Sequence, residues 1–252
     1  VTIETGRMAK QADGSCLVSC GNNIVLVTAV SSRRESSLDF FPLTVEYSEK
    51  FYATGKIPGG YFKREGRPTT EAVLNARLID RPIRPCFPEH YPYETQIVAT
   101  VLSYDGKYPA NSLASIGASA ALHISDIPFN GPTAGVQVAR IDGKLVINPS
   151  YSDLERADMD IFLAGTRNGI LMVEGEARFV SEKDVLEALK FGHKSMGEIF
   201  SAQDELRKMN GSPARREVSK PVIDAEFEKA AKDFLAAKVK ERLIMREKLQ
   251  RY

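Results

Sequence analysis

Two features of this 252-residue chain have side chains suited to chemistry: a basic, aromatic run from Gly59 to Pro85 and the closely spaced acids Asp158 and Asp160. The run, GGYFKREGRPTTEAVLNARLIDRPIRP, holds Lys63, Arg64, Arg67, Arg77, Arg81 and Arg84 against Glu65, Glu71 and Asp80. A glycine pair opens a mobile loop, Tyr61 and Phe62 supply flat faces for stacking, and cations on either side of Gly66 can grip phosphates. Together they read as a contact for single-stranded nucleic acid. On composition alone the same residues also describe a solvated basic loop leading into a helix, where Arg and Lys are ordinary surface residues. Carboxylates two apart on a strand point to one side, so Asp158 and Asp160 can share a divalent cation or be purely structural.

Elements must place these residues. Cys16 to Cys20 and Asn23 to Val30 read as two strands joined at Gly21 and Asn22, where positive φ is tolerated. Phe40 to Tyr47 and Thr95 to Ser103 are further β-rich runs, and Ser112 to Leu122, rich in Ala, Ser and Gly, suits a tightly packed helix. Asp142-Gly143 between Val136–Arg140 and Lys144–Ile147 predicts a hairpin, as does Asn168-Gly169 between Asp160–Ala164 and Ile170–Glu174. A helix starts at Ser181, with Asp184 placed as in a capping box and Val185, Leu186, Leu189, Met196, Ile199 and Phe200 at roughly helical spacing. The helix after the basic loop sets Arg77, Arg81 and Arg84 along one face as far as Pro82 permits. There they line a ligand path or pair with Asp80 and Glu71, the pairing being favoured for Arg81 and Arg84. Turn formers around Met209 to Pro213 predict a linker over 210–220, and from Asp224 an amphipathic helix presents Phe227, Ala230, Ala231, Phe234 and Leu235. The fold class is α/β (α+β).

At 43% hydrophobic residues the chain has the composition of an ordinary globular protein, without an apolar run long enough to span a bilayer or a signal-like start, which predicts a cytoplasmic setting and no membrane partner. The net charge of +1 means that affinity for a polyanion must come from local clustering of cations. Cys16, Cys20 and Cys86, without paired spacing, fit free thiols in a reducing compartment, and His90, His123 and His193 lie too far apart to suggest a metal motif. A start at Val1 without an initiator Met suggests a piece of a longer protein.

The run from Gly59 to Pro85 resembles the first core domain of the polynucleotide phosphorylase family, in which an aromatic-aromatic-basic-basic loop is followed by E-G-R-P and R-L-I-D-R-P-I-R-P. The likeness continues through Ser112 to Pro132, Val146 to Leu154, Leu171 to Ala177 and Phe191 to His193, and so to about Met209. It implies a first ribonuclease PH-like core domain over 1–209, the linker over 210–220 and the truncated start of an all-helical domain over 221–252. It also implies phosphate-dependent 3′-to-5′ degradation of RNA to nucleoside diphosphates, reversible as polymerisation. Inorganic phosphate would be co-substrate, and Mg2+ would be bound outside this segment. The implied partners are single-stranded RNA, two further copies in a homotrimeric ring and the proteins of an RNA-degradation complex. The resemblance assigns Tyr61, Phe62, Lys63 and Arg64 to a loop in the central channel, with Arg67 beside it and Arg77 on the RNA path.

In the family's catalytic copy of the core domain a serine-rich phosphate loop, two aspartates and a lysine carry the reaction. Laid on this chain, the acidic motif falls on Leu154 to Phe162: Asp160 keeps the second carboxylate, while Leu154 replaces the first and Phe162 the lysine. The phosphate loop falls on Tyr108-Pro109-Ala110-Asn111-Ser112, with one serine. The resemblance therefore implies that Asp158 and Asp160 are a degenerate remnant, that this copy holds neither catalytic residues nor metal, and that its tasks are RNA guiding and ring assembly. Two rivals remain: a non-catalytic RNA-binding ring subunit of an exosome-like complex, and a ribonuclease PH that trims transfer-RNA 3′ ends, which would need the missing Asp and Lys.

Overall fold

The computed structural model describes residues 1–218 and 224–250. Residues up to Val218 form one compact unit, and a second begins after it.

The first unit contains two sheets. β1 (Thr2–Thr5), β2 (Gly14–Cys20), β3 (Asn23–Glu35), β4 (Leu43–Glu49) and β5 (Tyr93–Ser103) form one, in the order β1-β2-β3-β5-β4, with only the β4 and β5 pair parallel. Gly21 at φ 57° turns the β2–β3 hairpin. β4 begins at Leu43, three residues later than the apolar run predicts. Pro42 cannot donate to the ladder, and the Phe41 ring instead packs tilted on Phe87 and edge to face with Tyr91, at centroid distances of 4.6 and 5.5 Å.

β6 (Ala134–Ile141), β7 (Lys144–Ile147), β8 (Ala157–Thr166) and β9 (Gly169–Ala177) form the second sheet, all antiparallel in the order β7-β6-β8-β9. Asp142 and Gly143 both take positive φ, 50° and 77°, as the predicted hairpin requires. The β8–β9 turn differs from expectation. Its two loop residues are Arg167 and Asn168, neither at positive φ, and Gly169 already pairs with Thr166. The pairing shifts register between Ala164 and Gly165, close to this turn.

Helix α2 (Asn111–Ile124) lies between the sheets, every residue from Ser112 to Ile124 buried. Its small residues let it approach closely: a Cβ on Gly117 would stand 2.5 Å from Val27 Cγ2. Helix α1 (Thr70–Ile83) shares this layer, burying Ala72, Ala76, Ile79 and Ile83, and the one-turn helix α3 (Tyr151–Leu154) leads into β8. On the far face of the second sheet the predicted single helix from Ser181 is two, α4 (Glu182–Ser195) and α5 (Gly197–Met209). The chain bends at the fully buried Met196 so that Ala188, Met196 and Phe200 can all pack on Val136, Val138 and Leu163. Leu186 falls outside this apolar stripe and is exposed.

The described part of the expected linker, 210–218, is bonded to the first unit. Arg215 donates to the carbonyls of Leu122 (3.0 Å), His123 (3.1 Å), Ser125 (2.8 Å) and Ile127 (2.7 Å) at the C-terminal end of α2. Arg207 of α5 donates to His123, Ser125 and Pro213, and Asn210 to Ile124. A helix end leaves carbonyls without internal partners and carries partial negative charge, so guanidinium groups satisfy both. Burial pushes Arg215 down to about 10. Arg216 forms ion pairs with Asp13 (2.7 Å) and Asp126 (2.8 Å).

In the second unit helix α6 (Ala225–Leu243) starts on Asp224, which accepts from the amides of Glu226 and Phe227, and Phe227, Phe234 and Leu235 are exposed. Residues 219–223 and 251–252, which include the ends of the expected linker and helical domain, lie outside the described residues.

Candidate nucleic-acid interface

The basic loop rises between a 3-10 turn at Phe51–Thr54 and α1. Gly60 (φ 77°) and Lys63 (φ 50°) bracket a turn with Tyr61 and Phe62 at its centre. The rings lie edge to face, 5.4 Å apart at 84°, and are 94% and 78% exposed. Apolar rings left this open gain most of their stabilisation only when another flat surface covers them, on the order of 1–3 kcal/mol per stacked base. Lys63, Arg64 and Arg67 are exposed, and no ion pair engages them among the described residues. The one acid between them, Glu65, accepts from the Phe51 amide at 3.1 Å and so ties the loop to its base. Thr69 then caps α1 through the Ala72 amide.

Along α1 the arginines diverge. Arg77 is exposed without an ion pair among the described residues, and Arg81 pairs with Glu174 of β9. Arg84 donates twice to Asp80 (3.0 and 2.9 Å) and to the carbonyls of Phe41 and Leu43, which makes it a structural tie between α1 and β4.

The structure does not bring Asp158 and Asp160 together as a pair. A bulge where β8 meets Arg140 of β6 breaks the alternation that would aim both to one side. Asp158 pairs with Arg140 at 2.6 Å, which also reaches Asp184 of α4 at 2.8 Å. The Arg140 hydrogen bonds hold the Asp158 carboxyl below its ordinary value. Asp160 instead accepts from Gln137 Nε2 with both oxygens, at 2.8 and 3.0 Å, and stands opposite Glu176 of β9. Burial pushes its pKa up, and Glu176 adds to the rise. Both acids border a cleft of about 330 Å³ with Tyr151, Leu154 and Arg178. Among the described residues no group of three or more His, Cys, Asp or Glu is placed to hold a metal ion. Phe162 is buried, Leu154 packs with Ala139, Ile141 and Ala157, and the Ser112 hydroxyl is engaged by Asn148 Oδ1 at 3.0 Å. The partners Arg140 and Gln137 escaped sequence reasoning, although a lone Arg and a lone Gln within the apolar strand AGVQVARI signal buried polar pairing.

The raised pKa of Asp160 has a definite sign. Its neutral form is favoured by folding, so the stability linked to it is present at low pH and lost as pH rises through the folded pKa. Asp160→Asn is expected to raise the melting temperature at pH 7, with the gain vanishing in melts taken at progressively lower pH. A drop in stability at pH 7 would mean that the carboxylate is needed charged.

Residues 1–128 match the model of the 3′ exoribonuclease family, domain 1, and residues 131–195 the model of domain 2 of the same family. Over its whole length the chain is 66% identical to the polyribonucleotide nucleotidyltransferase of Bdellovibrio bacteriovorus and 52% identical to that of Geobacter sulfurreducens. It spans 36% of the length of each. Among solved structures, a chain of the Archaeoglobus fulgidus exosome with RNA bound to the active site superposes with a TM-score of 0.62 at 17% identity, over 82% of this chain and 87% of that one. That likeness is one of fold.

Proposed function

Because the chain belongs to the 3′ exoribonuclease family, we propose that it is the N-terminal part of a phosphate-dependent 3′-to-5′ exoribonuclease. The whole protein would degrade RNA to nucleoside diphosphates and could run in reverse. Within it, residues 1–218 act as a core domain that guides single-stranded RNA and builds a homotrimeric ring, and α6 opens an all-helical domain. The observation that carries the RNA reading is the open aromatic pair Tyr61 and Phe62 beside three cations that no ion pair engages among the described residues. High identity to polyribonucleotide nucleotidyltransferases over every residue favours this reading over an exosome-like scaffold subunit. Inorganic phosphate and Mg2+ would act in a part of the protein outside this chain. Here the Asp158 carboxylate is committed to Arg140 and Asp160 to Gln137, and Phe162 has no group to stabilise developing negative charge. No helix among the described residues is long and apolar enough to cross a membrane, which is compatible with a cytoplasmic setting.

The test is nucleoside diphosphate release from RNA with phosphate and Mg2+. The whole protein should release it, and the 252-residue chain alone should not. Leu154→Asp with Phe162→Lys should leave the isolated chain inactive, since Ser112 and Asn148 still close the phosphate position. Turnover by the isolated chain would overturn this assignment of roles.

A further inference from the structure

We propose that Phe162 is a positioning residue that holds the Leu78 and Arg81 side of α1 against the second sheet and thereby sets where Arg77 and the RNA loop stand; this rests on the RNA reading above. Two surfaces hold α1. On one side Ala72, Ala76, Ile79 and Ile83 sink into the core of the first sheet. On the other, Leu78 packs on Phe162, Ala164 and Met172, and Arg81 pairs with Glu174. Val73 and Leu74 are exposed, so beyond the core of the first sheet this small cluster is the apolar support of the helix among the described residues. Leu78 and Arg81 are three apart and Arg77 and Arg81 four apart, whereas Arg77 and Leu78 point in different directions round the helix, so the joint at Leu78 and Arg81 sets Arg77 through the shared rigid helix backbone. Thr69, the cap of α1, stands two residues after Arg67, so a shift of the first turn is passed to the loop.

The seat of the ring is specific. A Cβ on Gly135 of β6 would lie 2.7 Å from Phe162 Cζ and 2.6 Å from Ser115 Oγ, so only glycine there lets the ring lie in place. Phe162 is 5% exposed, and the neighbouring Ser115 hydroxyl is buried without a partner. Smaller side chains at 162 would open a void beside that hydroxyl, and interiors of this density relax only partly.

The experiment uses the whole protein. Phe162→Leu removes contact from the sheet side, Leu78→Ala removes it from the helix side, Gly135→Ala displaces the ring without deleting any atom of the joint, and Phe162→Met conserves volume. Amide hydrogen exchange over Thr70 to Arg77 should quicken about tenfold in the first three while the amides of β3 keep their protection. The salt slope for long single-stranded RNA should become shallower by about 0.7, the loss of one phosphate contact. Phe162→Met should restore both. Unchanged exchange over α1 in folded variants overturns the proposal, as does an unchanged slope when Arg77→Ala itself makes the slope shallower. If exchange over α1 quickens but neither Arg77→Ala nor the Phe162 variants alter RNA binding, Phe162 positions the helix and the assignment of Arg77 to RNA fails instead.

Discussion

In the whole protein, replacing Lys63, Arg64 and Arg67 together with alanine should make the salt dependence of long single-stranded RNA binding shallower by about 2, since each lost contact removes about 0.7 from the single-strand slope. Near 50 mM salt this corresponds to a loss of affinity on the order of a hundredfold, shrinking toward none at high salt. The effect is large because no ion pair engages these three cations among the described residues, and Glu65, the one acid among them, turns to the Phe51 amide. Replacing Tyr61 and Phe62 should behave differently. Each ring removed should cost about 1–3 kcal/mol of binding with the slope unchanged, because stacking displaces few counterions. Titration of long and short oligonucleotides at several salt concentrations separates the two. Short RNA that does not reach the loop should be indifferent to both sets, and an unchanged slope in the triple variant would return the loop to ordinary solvated surface.

Local signals in the sequence led to most of the elements. The Asp142-Gly143 turn, the small-residue helix α2 and the Ser181 cap are each specified by residues within a few positions, and each is found where its pattern lies. What the sequence hid is non-local. Asp158 and Asp160 read as a pair because strand alternation is a local rule, and the bulge that separates them depends on how β6 registers against β8. The bend at Met196 depends on the shape of the second sheet, which one helical stripe cannot cover. Phe162 is legible as a replacement through resemblance, but its packing on Leu78, eighty-four positions earlier, is visible only in three dimensions. The open state of Tyr61 and Phe62 is a similar case. Their types suggested stacking, and their high exposure is what separates them from core aromatics such as Phe87 and Tyr91.

Arg215 and Arg216 show the same limit with the largest consequence for stability. After a run of turn formers they fall in the middle of the linker predicted over 210–220, yet Arg216 is 11% exposed between Asp13 and Asp126. Removing one member of a largely buried ion network leaves the other charges uncompensated, so Arg216→Met should cost about 3 kcal/mol. For a unit of this size that is a fall in melting temperature of roughly 6–12 °C. Arg33→Met provides the contrast: Arg33 also reaches Asp126, at 3.2 Å, but is 68% exposed, and its loss should cost less than about 1 kcal/mol. The pH dependence distinguishes lost charge pairing from lost packing. Against the cost of its burial, the Arg216 and Arg33 guanidiniums hold the Asp126 carboxyl below its ordinary 3.8. A depressed carboxyl contributes stability that is present above 3.8 and lost as pH falls through the lower folded value. The melting gap between the wild-type chain and Arg216→Met should therefore be widest near neutrality and narrow below about pH 4. A gap that stays constant through acid would assign the effect to packing of the arginine stem alone, and the absence of a gap at pH 7 would mean that residues 210–218 are not fastened to the first unit by this network.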